Sequence, residues 1–493
     1  MNDDAQRSDR MNLPIKIVEQ NIDPSAPWSD DKLGRKNCAD VLTELLANQT
    51  EALTVSLNGE WGSGKTFMLK RWRQQLENDG YGAIYFNAWE DDFVPDPLVA
   101  ILGQLQAHLS EEPAVKEFLA GAGQVIATVA SGLFKKATGV DIEDAAGKAS
   151  KAATTRNMKL LDEYSAVLGS RLQLRDSLQR MANKLFENSR KPLVFIIDEL
   201  DRCRPSFAIE LLERVKHLFN IEHVVFVLGT DRTQLGQAIR SVYGDIDSEN
   251  YLHRFIDIDF RLPQVQGSRY LGVLWEKHGL TSYLLALGER LGRGGRHKDE
   301  GGYFRDIFAV LLKGHALTLR EIEQCVKLYA IVLRASSNEY TIYPLLLPLL
   351  IVLKLKNPTL YVRYISLSCP VNDVIDFSVP SAGKGRRNDA WKLELVIYAT
   401  YASSSSTSKH VTEVKEMLQA IRDKKPIAQM SCVSSRVKQW SDPDELIRNF
   451  CEPLERIAGF GGFEGIEYDE QALLGVTKKL DLIMTGVEQG ELL

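Results

Sequence analysis

The first half of the chain alternates short apolar runs with longer stretches of helical character. Residues 53–57 (LTVSL), 83–87 (AIYFN), 193–197 (LVFII) and 223–229 (HVVFVLG) each predict a buried strand. The run at 193–197, flanked by Lys191 and Pro192, has the unbroken apolar character of a central parallel strand covered on both faces. Residues 67–72 and 206–220 read as helices, with Ser206 a candidate cap for the second. Residues 97–190 read as a mostly helical insertion between the second and third strands, and 121–157 within it is low in bulky side chains. A helix-like segment at 251–255 leads to a further strand over 256–260. After Pro263 the pattern turns helical. Thr318 and Glu321 match a capping box, and the apolar run 345–353, which contains Pro348, reads as a buried helix core. Loops are expected at 381–390 and 403–407, and no period of 20–50 residues marks a repeat array. The division predicted is a mobile segment over 1–27, an α/β core over 28–264 opened by a helix at 28–50, a helical region over 265–340, and a mainly helical region of unassigned role over 341–493.

Two of the strand ends carry chemistry. Directly after the first run come Gly59, Glu60, Trp61, Gly62, Ser63, Gly64, Lys65 and Thr66, a full match to G-x-x-x-x-G-K-[ST] between a strand and a helix. Glycines let backbone N–H groups turn inward around phosphates, and the helix N-terminus adds its positive end. In that setting Lys65 would reach the β- and γ-phosphates, and the Thr66 hydroxyl would hold Mg²⁺. The third run ends in Asp198 and Glu199. A carboxylate there sits at the ligand edge of a parallel sheet. Asp198 is placed to hold the metal through its water shell, and Glu199 to orient and deprotonate an attacking water.

Four further stretches give these motifs a family resemblance. Residues 193–205 read LVFIIDELDRCRP, an acidic strand end followed by an L-D-R-C segment. Residues 31–35 (DKLGR) with 39–42 (ADVL), 86–89 (FNAW) and 251–255 (YLHRF) complete the set. Across about residues 28–335 the chain resembles the KAP-type P-loop NTPases, with Arg254 where Lys is common. The resemblance implies a P-loop core with parallel sheet and an extra central strand, and a helical C-terminal lid over 265–340. It implies that Arg35 lies beside the adenine, although Gly34-Arg35 reads equally as a helix-start turn. Thr230 or Asp231 would sense the γ-phosphate at the end of the extra strand, where a plain turn explains the same residues. Arg254 would bring charge to the γ-phosphate, in cis or across a subunit boundary, with a surface salt bridge as the alternative. Arg320, early in a lid helix, would touch the nucleotide. Some bacterial members act in exclusion of or defence against phages, and some carry membrane spans between the two nucleotide motifs.

Composition narrows the field further. The 493 residues carry 60 basic and 66 acidic side chains, a net charge of −6 that argues against a broadly basic nucleic-acid surface but leaves room for a local patch. The six cysteines, at 38, 203, 325, 369, 432 and 451, form no C-x-x-C or zinc spacing, which suits a reducing, cytoplasmic setting. The first dozen residues lack the pattern of a signal peptide. Residues 121–140 hold an uncharged stretch below the ~20 residues that a membrane span needs, so they would lie on a membrane or pack against a neighbour helix. With no N-K-x-D signature, ATP is expected rather than GTP. The expected protein is an ATP- and Mg²⁺-dependent hydrolase, a motor or switch for a separately encoded effector, with nucleic acid open as a partner and a homo-oligomer plausible on Arg254. A slowly hydrolysing nucleotide-gated scaffold and a membrane-associated adaptor are the alternatives.

Overall fold

The computed structural model describes residues 21–121, 123, 125, 150–290, 300–335, 346–378, 388–452 and 477–484, apart from residues 48, 405, 428, 435, 436, 440, 441 and 483. Most of the readings for 1–27, 121–140 and 381–390 lie outside the described residues. The chain forms two compact units, one over Gln20–Gln264 and one containing the helices after Val265.

The first unit is built on five parallel strands: β1 (Leu53–Asn58), β2 (Ala83–Asn87), β3 (Leu193–Asp198), β4 (Val224–Thr230) and β5 (Ile258–Arg261). Their order is β2-β3-β4-β1-β5, so β4 lies between the strand before the phosphate loop and the strand ending in Asp198. It is the extra central strand. Every residue of β3 and β4 is buried, as expected of strands covered on both faces. Alternate residues separate onto two cores. Ile84, Phe86, Phe195, Ile197, Phe226 and Leu228 face one cluster. Val55, Leu57, Val194, Ile196, Val225 and Val227 face the other, with Met68, Leu69 and Trp72. The register pairs Phe195 with Phe226, and their rings stack at 4.9 Å.

Helix α1 (Arg35–Leu46) and helix α2 (Lys65–Asn78) cover one face of the sheet. Helix α1 is shorter than the expected 28–50 helix. Gly34 precedes it at φ 76°, and residues 23–33 are tied to α2 by side chains. Asp30 takes both Nε and Nη2 of Arg71, at 2.8 and 2.6 Å, and Gln75 accepts the Trp28 indole N–H at 2.7 Å. On the other face lie α3 (Pro97–Leu109), α4 (Ser150–Ser189), α5 (Pro205–Leu218) and α6 (Arg232–Tyr243). Helix α4 is 40 residues long and packs its C-terminal part into the core through Leu174, Leu178, Met181 and Ala182. Helix α5 begins at Pro205 and has no side-chain cap, so Ser206 does not cap it. Proline fills the first helical position, where a missing N–H leaves nothing unsatisfied. The Arg204 N–H before it donates to Asp92 Oδ2 at 2.8 Å. Strand β5 starts two residues later than expected, after the Asp257 carboxylate has accepted the Thr54 N–H at 2.8 Å.

The second unit is helical. One hydrophobic cluster runs through it from Leu271 to Met484. Helix Leu319–Ala335 opens on the expected capping box: Glu321 accepts the Thr318 N–H at 2.8 Å, and Thr318 Oγ1 accepts the Glu321 N–H at 3.2 Å. Lys356 pairs with the same Glu321 and so joins two helices at the cap. Pro348 falls in the first turn of helix Leu347–Lys356, where it is tolerated, and residues 347–353 are buried. No helix among the described residues is long and apolar enough to cross a membrane.

Candidate functional site

The site begins where β1 ends. Gly62 and Gly64 adopt φ 80° and 89°, conformations that L side chains resist, and they let the loop curl before α2. The Gly59 N–H donates to Thr230 O at 3.1 Å, which fastens the start of the loop to the end of β4. Lys65 is buried, and its ammonium lies against the loop's own carbonyls, 2.6 Å from Gly59 O and 3.3 Å from Glu60 O. Arg35 braces the loop from behind: Nη2 donates to Ser63 O at 2.6 Å and Nη1 to Pro263 O at 2.7 Å. Its guanidinium therefore reaches the backbone of the phosphate loop.

The acidic pair closes the other side. Asp198 is fully buried at the end of β3. It accepts the Tyr85 hydroxyl at 3.0 Å on Oδ2 and the Glu199 N–H at 2.9 Å on Oδ1. Burial raises its carboxyl above the usual range, against the lowering pull of hydrogen bonds from Thr66 and Tyr85 and the charge of Lys65. Burial, and the carboxylate beside it, push the Tyr85 phenol up, so it stays a donor. Glu199 turns off the strand at φ 62°, an uncommon conformation for a residue with a side chain. The Thr66 hydroxyl donates to its Oε1 at 3.2 Å. Burial raises the Glu199 carboxyl as well, while Arg202 opposes the shift.

Strand β4 supplies the space between. A Cβ on Gly229 would lie 2.8 Å from Asp198 Oδ1 and 2.5 Å from Leu69 Cδ1, so only glycine leaves room for the carboxylate. Thr230, next along, is fully buried, and its hydroxyl has no hydrogen-bond partner. Asp231 instead caps α6, accepting from the Thr233 and Gln234 N–H groups at 3.0 and 3.4 Å.

Lys65, Thr66, Asp198, Glu199, Thr230 and Arg35 thus converge at the carboxyl edge of β1, β3 and β4. Arg254 does not join them. It is exposed, three residues before Asp257, whose N–H donates to Thr54 O at 2.9 Å near the start of β1. Arg320 lies in the other unit, in the first turn of helix Leu319–Ala335. Sequence reasoning missed Tyr85, Arg202, Gly229 and Arg232. Arg232 is buried and pairs with Glu249 at 2.5 Å and Asp259 at 3.1 Å. A glycine within a buried strand signals a close approach, so Gly229 was legible. Tyr85 and Arg232 depend on neighbours distant in sequence, and Arg202 pairs locally with Glu199 but lies near the distant Trp61 and Trp89.

A parallel sheet with an inserted central strand, a glycine loop at one strand end and carboxylates at another define a P-loop NTPase. The chain belongs to the KAP family: the family's P-loop domain matches residues 35–288. The phage T7 exclusion protein of Escherichia coli strain K12 is 26% identical over 170 residues, which is 34% of this chain and 22% of that protein. Two structures of the Aeropyrum pernix ORC2 protein also align with the chain. The ADPNP–ADP complexes align at 15% identity over 85% of this chain and 84% of that one, with a TM-score of 0.33. The ADP form aligns at 14% over 84% and 88%, with a TM-score of 0.32. The fold assignment rests on the sheet and the family match.

The raised Asp198 carboxyl has a consequence for stability. The folded chain holds this proton more tightly than the unfolded chain. The group's contribution is therefore present at low pH and lost as pH rises from the unfolded carboxylate value through the folded one. Asp198→Asn, a mimic of the protonated form, should raise the urea midpoint at neutral pH in buffer without nucleotide or metal. The gap should close below about pH 4, where the unfolded carboxylate is also protonated. Urea titrations of both proteins across pH check this, and a midpoint lowered at neutral pH would contradict it.

Proposed function

We propose that this chain binds and hydrolyses ATP with Mg²⁺, and that the resulting movement is read by a separately encoded effector. The observation that carries the reading is the 3.2 Å contact between the Thr66 hydroxyl and Glu199 Oε1, which joins the phosphate loop to the acidic strand end. The partly buried Thr66 hydroxyl and the buried Asp198 carboxylate fit a hard cation such as Mg²⁺ and would hold it there. Such an ion, when bound, neutralises charge between the β- and γ-phosphates. Lys65 would leave its loop carbonyls for the phosphate oxygens. Glu199 would orient and deprotonate the attacking water. The partnerless Thr230 hydroxyl would meet the γ-phosphate, and Arg35 would act by bracing the loop at Ser63.

Arg254, exposed and away from its own phosphate loop, suits a contact with the nucleotide of a second copy. Arg320 would touch nucleotide as the helical unit closes. The match to a phage exclusion protein supports a role in antiviral exclusion or defence, and the six free cysteines suit a cytoplasmic setting. A slowly hydrolysing scaffold would share the binding and lack the turnover, so phosphate release separates the two readings.

Lys65→Ala should abolish tight ATP binding, because its ammonium is the charge that would meet the β- and γ-phosphates. Glu199→Gln should keep binding and lose turnover by at least ~100-fold, since the amide cannot take a proton. Equilibrium binding and phosphate release measure both, and a Gln variant with normal turnover would remove Glu199 from the reaction. Mixing Arg254→Ala with Lys65→Ala should restore part of the activity, each variant lending an intact half-site. No rescue, with monomers in the presence of ATP, refutes the contact between copies. Arg320→Ala should weaken the ATP-dependent protection of residues 265–340 from protease, because a contact made only in the closed state biases closure. Equal protection in both proteins would make Arg320 an ordinary surface residue.

A further inference from the structure

The turn after β3 holds a second network beside the phosphate loop. Leu200–Arg202 forms a single 3₁₀ turn, and Arg202 reaches back along it to Glu199, its Nε 2.5 Å from Glu199 Oε2. The guanidinium carbon lies 5.8 Å from the ring centre of Trp61 and 5.6 Å from that of Trp89. Trp61 comes from the phosphate loop and Trp89 from the end of β2, and both rings are partly exposed. The Trp61 indole N–H also donates to the Asp201 carboxylate, so the phosphate loop grips the same turn a second time.

The two contacts of Glu199 are unequal. The Thr66 hydroxyl is 3.2 Å away, long for an O–H···O bond, and Asp198 draws on the same hydroxyl. The Arg202 contact is a close ion pair, although Oε2 receives no aligned N–H from it, and it comes from a planar group that can rest near aromatic faces. It holds positive charge against Oε2 and leaves Oε1 turned toward the phosphate loop.

We propose that Arg202 is the positioning residue for Glu199. Held near the Trp61 and Trp89 rings, it fixes one carboxylate oxygen and so aims the other at the place where water attacks. The role rests on Glu199 being the water-orienting group. A lysine at this position would keep the charge and lose the flat stacking surface. A long neutral side chain would lose both. Trp89 contributes through the arginine alone.

The test uses the full chain with Arg202→Met, Arg202→Lys, Trp89→Leu, Glu199→Gln and the double variant Glu199→Gln with Arg202→Met. For Arg202→Met we expect kcat to fall by about 10–100-fold, the scale of a misplaced reacting group. Its ATP dissociation constant should change by less than about threefold, since a positioning contact to Glu199 is not a contact to ATP. Arg202→Lys should recover part of the loss, and Trp89→Leu should lie between wild type and Arg202→Met. In the Glu199→Gln background, Arg202→Met should cost no further turnover. A second readout needs no ATP. Urea unfolding of the wild type, both single variants and the double variant should show non-additive changes in stability, as expected of two groups in direct contact.

A Glu199→Gln variant with normal turnover removes the reading of Glu199 itself. An inactive Glu199→Gln beside an Arg202→Met with undiminished kcat overturns the positioning role alone. So does an Arg202→Met that loses ATP binding in step with kcat, or additive changes in unfolding stability. If Arg202→Met fails to fold, the lysine and Trp89 variants decide the matter: undiminished kcat in both overturns the role.

Discussion

Strand β4 pairs along its length with β1 on one side and β3 on the other, and every close contact in the site depends on those two ladders. The ladders set how far the phosphate loop stands from Asp198 and Glu199. A shift of one residue in either would turn alternate side chains to the wrong face and move Gly229 from beside the carboxylate. The hydrophobic pattern resists such a shift. Phe195 and Phe226 must stack on one side of the sheet while Val194 and Val225 meet α2 on the other. Packing far from the chemistry thus holds oxygen atoms in place to within a fraction of a residue spacing.

The same closeness makes the site electrostatically unsettled by itself. Asp198 and Glu199 are both pushed toward their protonated forms, chiefly by burial, and the charge of Asp198 adds to the rise at Glu199. Tyr85, Thr66 and the Glu199 backbone N–H relieve part of this at Asp198, and Arg202 does so at Glu199. Lys65 lies on neutral carbonyls rather than against a carboxylate. A cation beside the acids and an anion beside the lysine would satisfy both sets of charges at once. That matching of unmet charge is a physical reason to expect a metal-bound polyphosphate.

Much of this was legible in the residues themselves. The phosphate loop needs glycines at fixed places, the acidic pair must end an apolar run, and both requirements are local. The core strands were plain for the same reason: a strand buried on two faces has no polar positions to obscure it. The capping box of Thr318 and Glu321 is also a local device. The failures involve distant partners. The expected helix at 28–50 loses its first turns to Arg71 and Gln75 of another helix, and Pro205 displaces the expected Ser206 cap while Asp92 holds the preceding N–H. Arg202 and Tyr85 looked like ordinary members of a turn and a strand, because Tyr85 meets Asp198 across strands and the rings near Arg202, Trp61 and Trp89, come from far earlier in the sequence.

Helix α4 has a geometry that reaches beyond its own packing. Its 40 residues, at 1.5 Å each, extend about 60 Å, and Leu174, Leu178, Met181 and Ala182 of its C-terminal part enter the core. Ser150 stands about 36 Å along the helix from Leu174. Over such a length small angles are magnified. A tilt of about 5° where α4 meets the sheet carries its far end through ~3 Å at that length. Displacements too slight to notice among the strands become, at the tip, as wide as a water molecule.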